Sequence, residues 1–277
     1  MNLSNLNLFS LKDKVIIITG GAGLLGEIHS ETVLEAGGVS ILLDINKQKL
    51  SEIAKNQRSK FGDRVLELYC DITSKKSIRN CLEQILKVYG RLDGLINNAA
   101  NDPKADSNSI NENTRFENIS FERWEQDISV GLTGAFFCCQ VFGEYMSKNN
   151  GGVIINIASD LSIISPDQRL YEKENIPSDL QPVKPITYSV VKSGILGLTK
   201  YLSTYWAKNN IRVNAISPGG VYNNQSEEFL SRISERIPLQ RMASPREYKG
   251  SMLYLLTDAS SYMTGSNLIV DGGRTVW

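Results

Sequence analysis

Histidine is nearly missing from this 277-residue chain: His29 is the only one. A histidine-based metal centre or catalytic triad therefore has no material to be built from. His29 itself falls on the first expected helix, away from any inferred chemistry, and reads as a packed or solvent-facing side chain. Cysteine is scarce as well. Cys70, Cys81, Cys138 and Cys139 show no metal-ligand spacing, and the adjacent pair cannot easily bond to each other. They read as reduced core thiols. No stretch is long and apolar enough to span a bilayer, and the polar N-terminus lacks a basic region followed by an apolar core, so a cytoplasmic location is expected. An excess of either charge is also absent, with 30 basic and 30 acidic residues. That balance removes any global electrostatic case for nucleic acid or an anionic membrane, leaving only a local basic patch open. Linkers rich in Pro, Gly or Ser, repeats and low-complexity tracts are lacking too. One α/β domain over residues 1–277 is therefore favoured over two small ones. The nearest thing to a boundary is the polar segment Asn101 to Asn118, which reads as an exposed loop.

What the chain does have is a regular alternation of apolar strands and amphipathic helices. Val15 to Thr19 is a short β-branched run that ends in glycine, as a central strand buried on both faces would. Leu24, Leu25, Ile28, Val33 and Leu34 then supply the apolar face of a helix, and Gly37-Gly38 ends it. In the turn between them, Gly21, Gly23 and Gly26 satisfy Gly-x-Gly-x-x-Gly. One glycine serves the turn, one lets a pyrophosphate approach, and one lets the helix pack on the strand. The helix N-terminus would face the phosphates. Gly20, Gly21, Gly23, Leu24, Leu25 and Gly26 are the candidate cofactor contacts here.

The next strand, Ser40 to Asp44, ends in a carboxylate eighteen residues after Gly26, placed to accept hydrogen bonds from an adenosine ribose. The same carboxylate would repel a ribose phosphate. With no arginine beside Asp44, NAD is expected over NADP, and Lys47 is the neighbour that could soften the preference.

Further strands are expected at Val65 to Cys70, Leu92 to Asn97, Val153 to Ala158, Arg212 to Ser217 and Asn267 to Val270, with helical patterns between them. This order implies a doubly wound parallel sheet, a Rossmann fold, with ligands at the carboxyl ends of its strands. Asp71-Ile72, Asn98-Ala99-Ala100, Ser159, Pro218-Gly219 and Val221 stand at those ends as further candidates. The plain alternatives are Asp71 as a helix cap, Asn97 as a sheet-stabilising side chain, and Pro-Gly as a turn.

Tyr188-Ser-Val-Val-Lys192 puts a phenol and an ammonium on one helix face. A phenol titrates near ~10 in water, and a nearby cation favours the phenolate that a base at neutral pH requires.

Together these segments resemble the short-chain dehydrogenase/reductase family from Lys14 to Gly273. The matching pieces are Thr19 to Gly26, Asp71, Asn97-Asn98-Ala99, Ser159, Tyr188-x-x-x-Lys192, Arg212 to Gly219 and Tyr262 to Gly273. The resemblance implies that Tyr188 is the acid/base, that Ser159 holds the reacting oxygen, and that Lys192 binds the nicotinamide ribose and lowers the tyrosine pKa. It also implies a homodimer or homotetramer, which fits apolar residues beyond one stripe on the helices Phe121 to Met146 and Ile186 to Lys208.

Several positions depart from the family pattern. The glycine spacing is that of the family's larger branch, whereas length and ending match the single-domain branch. Gly131 stands where an asparagine usually helps hold a proton-relay water, and Asn223 stands where a cofactor-contacting threonine is common; its amide can still donate a hydrogen bond. The interval from Ser159 to Tyr188 is lengthened by Ser165 to Pro185, which carries Arg169, Tyr171, Glu172, Lys173, Glu174 and Lys184. This insertion either borders a polar or phosphorylated substrate, forms a solvated surface loop, or makes an oligomer contact. Within the family, the insertion, Gly-Gly-Ala-Gly-Leu-Leu-Gly and Ser-Pro-Gly-Gly-Val look similar to oxidoreductases of flagellin modification and nonulosonic-acid sugar synthesis. The expectation is an NAD-dependent enzyme that interconverts a secondary alcohol and a ketone on a sugar-derived small molecule. The rivals are a reductase of 3-oxoacyl or other hydrophobic ketones and a non-catalytic dinucleotide sensor.

Overall fold

The computed structural model describes residues 7–101 and 114–277. Most of the polar segment expected as a loop, residues 102–113, lies outside the described residues. Seven parallel strands form one sheet in the order β3-β2-β1-β4-β5-β6-β7. Strands β1 (Val15–Thr19), β2 (Val39–Asp44) and β3 (Val65–Tyr69) run outward from the centre. Strands β4 (Gly94–Asn97), β5 (Gly152–Ile157), β6 (Ile211–Pro218) and β7 (Asn267–Val270) extend the other way. The expected doubly wound sheet is therefore present, and its strand order reverses between β1 and β4, where such sheets open a ligand crevice.

β1 and β4 are buried along their whole length, because helices cover both faces of the sheet. One face packs Ile17, Ile41, Leu95, Ile154 and Val213 beneath α3 (Lys75–Tyr89) and the helical run from residue 121 to 147. The other packs Ile16, Ile18, Leu42, Ile96 and Ile155 beneath α1 (Leu24–Glu35), α2 (Lys47–Phe61) and α9 (Lys249–Leu256). Each such side chain contributes roughly 1.5–3 kcal/mol on burial. All four cysteines are free and buried in the first face. Burial pushes the Cys139 thiol up to about 12 and raises Cys138, so both stay protonated.

The run from residue 121 to 147 is less regular than its apolar pattern predicts. It consists of α4 (Phe121–Ile128), a π-helical stretch Ser129–Thr133, α5 (Gly134–Cys138), a second π stretch Cys139–Gly143, and α6 (Glu144–Ser147). Opposite lies α7 (Ile186–Tyr205), followed later by α8 (Glu227–Ser234).

His29 is packed, not solvent-facing: it is 1% exposed on the inner side of α1. Burial drives its pKa from 6.5 down to about 3. The unfolded chain takes up this proton below about 6.5, whereas the folded chain resists it until about 3. This residue therefore costs stability progressively as pH falls through that window and contributes nothing above it. His29→Leu is expected to flatten the pH dependence of the urea midpoint between pH 6.5 and 3. Parallel curves for the two proteins would remove His29 as its source.

Candidate active site

Thr19, the last residue of β1, ties the two central strands together at their carboxyl ends. Its hydroxyl donates to Ile96 O (3.4 Å) and accepts from Asn98 N (3.0 Å) and Ala99 N (3.1 Å). Asn98 returns the contact, its Nδ2 donating to the carbonyls of Thr19 (3.0 Å) and Gly20 (3.1 Å). The glycine turn and the Asn98-Ala99-Ala100 segment are thus held as one rigid edge.

Within the turn, the left-handed residue is Gly20 (φ 64°), one position before the Gly-x-Gly-x-x-Gly match. Gly26 has another role: a Cβ there would lie 2.2 Å from Gly20 O, so only glycine lets α1 approach the turn so closely. Gly23 is the N-cap of α1 and brings no side-chain cap, which leaves the first amides of the helix to another acceptor. Asp44 is tied to the same loop, its carboxylate accepting from Ala22 N (3.0 Å) and Asn46 N (2.8 Å).

The other side of the site is built on β5 and α7. Asn97 Nδ2 donates to Asn156 Oδ1 (2.8 Å) and Cys139 Sγ (3.2 Å), and Asn156 Nδ2 donates to Thr199 Oγ1 on α7 (2.8 Å). Asn97 is therefore a link in a buried polar chain across the sheet, in line with its sheet-stabilising alternative. At the start of α7, Thr187 Oγ1 donates to the buried Asp127 (2.7 Å), which Arg123 and Asn101 also engage. These bonds tie the first turn of α7 to α4 and its later part, at Thr199, to β5.

Further along α7, Lys192 is 6% exposed and its Nζ donates to Ile157 O (2.8 Å) at the end of β5. The same ammonium lies 5.8 Å from the centre of the Tyr188 ring, and Lys184 Nζ lies 3.9 Å from it. Tyr188 thus sits between two lysines, four residues before and four after. Ser159, buried, follows β5, and its hydroxyl donates to Asp160 Oδ1 (2.9 Å).

These groups meet in a cleft of about 920 Å³ at the carboxyl ends of the strands. Gly23, Leu24, Leu25, Asn98 and Ala100 line one side. Ser159, Tyr188 and Lys192 line the middle, and Pro218, Gly219, Val221 and Asn223 close it from the β6 side. Gly20, Gly21, Gly26, Asp44, Asp71, Ile72 and Ala99, also expected as cofactor contacts, are not among the residues that line the cleft. Asp71 is not a helix cap, since Ser74 caps α3; its Oδ1 instead accepts from the amide (2.9 Å) and hydroxyl (2.7 Å) of Thr73. The Ile72 side chain is buried in the core.

Gly131 falls in the first π stretch, and a Cβ there would meet Val191 Cγ1 at 2.5 Å. Val191, the neighbour of Lys192, fills the space that a larger side chain would need.

Of the three readings of the insertion, the structure supports a wall of the cleft. Leu170 packs with Ile233, Ile237 and Met242, and the Tyr171 and Phe229 rings lie 5.8 Å apart. Arg232 on α8 donates to Glu172 O and to its neighbour Glu228, and Arg236 donates to Asp167 Oδ2 (2.6 Å). The guanidinium groups of Arg169 and Arg236 hold the Asp167 carboxyl well below the usual carboxylate range. Inside the loop, Gln181 Nε2 donates to Lys173 O (3.0 Å) and Ile176 O (2.7 Å). Tyr171, Glu172, Lys173 and Lys184 consequently face the cleft with Arg232 and Gln225. Arg232, Asp160 and Arg274 are site residues that the motifs did not reveal, because none of them lies in one.

Among the described residues, no cluster of His, Cys, Asp or Glu is arranged to hold a metal ion, and no helix is long and apolar enough to cross a membrane. The short chain dehydrogenase family model matches residues 14–170, and a model described as Enoyl-(Acyl carrier protein) reductase matches residues 180–275. The chain is 30% identical to post-translational flagellin modification protein A of Campylobacter coli, covering 95% of this chain and 98% of that one. It is 32% identical to an NAD-dependent glycerol dehydrogenase of Listeria innocua, over 97% and 96% of the two chains. In three dimensions it resembles a putative short-chain alcohol dehydrogenase of Sinorhizobium meliloti, with a TM-score of 0.83, 29% identity, and 97% and 99% coverage. Sheet order, crevice and these whole-length matches agree: the chain belongs to the short-chain dehydrogenase/reductase family and is an oxidoreductase of alcohols and ketones.

Proposed function

We propose that this enzyme uses NAD in preference to NADP and interconverts a secondary alcohol and a ketone on a polar, sugar-derived substrate. The observation that carries the substrate class is the cleft wall formed by the insertion and α8. There, Glu172, Lys173, Lys184, Gln225 and Arg232 offer charges and hydrogen bonds beside the apolar Leu170, Phe229, Ile233 and Met242, a mixed wall that suits a polar substrate with a carbon skeleton. The relatives named for glycerol oxidation and flagellin modification support this reading.

The residues fit the dinucleotide. The uncapped N-terminus of α1 suits a pyrophosphate. Asp44 offers acceptors to the ribose hydroxyls and would repel a phosphate there. Asp71 and Ile72 would border the adenine, Asn98 to Ala100 the central portion, and Pro218, Gly219, Val221 and Asn223 the nicotinamide end. When bound, NAD supplies the hydride acceptor. In the oxidative direction Tyr188 takes the hydroxyl proton, the ammonium of Lys192 favours its phenolate, and Ser159 holds the substrate oxygen. Exposed Phe136, Tyr201 and Tyr205 on α5 and α7 support a homodimer or homotetramer. A cytoplasmic site of action completes the reading.

The test is NAD and NADP reduction with free, phosphorylated and nucleotide-linked sugars beside aliphatic alcohols. We expect turnover with one sugar class and a kcat/KM for NAD about tenfold above NADP, equivalent to about 1.4 kcal/mol. Preference for NADP would overturn the role of Asp44, and activity confined to aliphatic alcohols would overturn the substrate class.

A further inference from the structure

Asp160 and Arg274 form an ion pair directly behind Ser159. Asp160 Oδ2 accepts from Arg274 Nη1 at 2.7 Å, and the two side chains are only 4% and 9% exposed. The other oxygen, Oδ1, accepts from the Ser159 hydroxyl (2.9 Å) and from Leu161 N (2.8 Å). Arg274 belongs to the closing turn Arg274–Val276. That turn is clamped by Asp271, whose carboxylate takes the amides of Gly273 (2.8 Å) and Thr275 (2.7 Å). Asp160, Arg274 and Ser159 all line the same cleft.

A buried ion pair is weak evidence for stability, since desolvation offsets most of the Coulomb attraction. Its attachment to Ser159 points elsewhere. We propose that Asp160, its carboxylate plane fixed by Arg274, is a positioning residue for Ser159, and this rests on the catalytic reading above. With its hydroxyl donating to Asp160 and its Oγ accepting from Leu161 N (3.2 Å), Ser159 is held in one rotamer at the cleft, leaving the substrate O–H to point at Tyr188. As negative charge grows on the substrate oxygen, the Ser159 O–H rotates and donates to it. No proton passes to Asp160: the Ser159 O–H bond stays intact, and the substrate proton goes to Tyr188. The rotation strands no buried acceptor, because Oδ1 keeps the Leu161 amide and Oδ2 keeps Arg274. The C-terminal turn thereby becomes part of the catalytic apparatus.

Removing one partner would leave a lone buried charge and endanger folding, whereas an apolar pair of similar volume is close to neutral. The test therefore uses Asp160→Leu/Arg274→Met, made both in the native background and in Ser159→Ala. A positioning role predicts a kcat loss of about tenfold with Ser159 present and less than about twofold without it, because residues acting through one another are not additive. KM and NADH binding by fluorescence should change little. A crystal structure of the double variant should show Ser159 in more than one rotamer. Asp160→Asn/Arg274→Gln keeps a carbonyl acceptor for Ser159 without buried charge and should recover kcat to within about threefold of the unsubstituted enzyme. Equal losses in both backgrounds would overturn the proposal and leave the pair purely structural. A Tyr188→Phe enzyme as active as the unsubstituted protein would instead overturn the catalytic reading on which it rests.

Discussion

Replacing Tyr188 by phenylalanine is expected to lower kcat by about a thousandfold, within the range of general acid–base contributions, while leaving NADH affinity and melting temperature close to their original values. The substitution removes one oxygen and keeps the ring. The Lys184 ammonium retains its aromatic face at 3.9 Å, and Lys192 keeps its bond to Ile157 O at 2.8 Å. The buried chain Asn97–Asn156–Thr199 and the Thr187–Asp127 bond that hold α7 do not involve residue 188. Loss of rate without loss of binding is what removal of a group needed only in the transition state looks like. Steady-state kinetics beside a fluorescence titration with NADH make the distinction. A rate within tenfold of the unsubstituted enzyme would strip Tyr188 of its acid/base role.

Gly26→Ala should be the most damaging single methyl in the protein's first third. Helix propensity alone favours alanine over glycine by about 1 kcal/mol. Against that stands a Cβ placed 2.2 Å from Gly20 O and 3.0 Å from Gly20 C and Gly21 Cα, all backbone atoms that cannot swing aside. Forcing α1 off the turn costs about 1–3 kcal/mol by the usual scale of overpacking. The clash therefore wins, and the displaced helix N-terminus should also weaken NADH binding by about tenfold, the loss of about 1.4 kcal/mol. Gly197→Ala on α7 is the internal control: its Cβ would meet nothing within 4 Å, so propensity should prevail and stability should rise. Calorimetric melting of both variants with and without NADH reads the result. If Gly26→Ala melted and bound as the original protein does, the close approach of α1 to the turn would carry no energetic weight.

The strands and helices were legible because their signals are local. Val15–Thr19 has the composition of a doubly buried strand, and Asn267–Val270 coincides with the expected span. Strand ends elsewhere shift by one or two residues, because the last pairing partner, and not propensity, decides where a ladder stops. The glycine turn was legible in kind, yet its left-handed residue proved to be Gly20, since Gly21 is bonded across to Leu43 O. The two π stretches between α4 and α6 left no trace in the apolar pattern.

Sequence by itself determined the alternation of strands and helices, the phosphate-type turn before α1, and the pairing of Tyr188 with Lys192 one helical turn away. Each of these is written in spacings of a few residues, where backbone geometry allows few alternatives. Tertiary structure alone decided that Arg274 reaches Asp160 across 114 positions, that Val191 fills the space beside Gly131, and that Arg232 and Arg236 fasten the insertion over the cleft. With 30 cations and 30 anions along the chain, spacing cannot select which pairs meet. Only the order of strands in the sheet brings those particular groups within bonding distance.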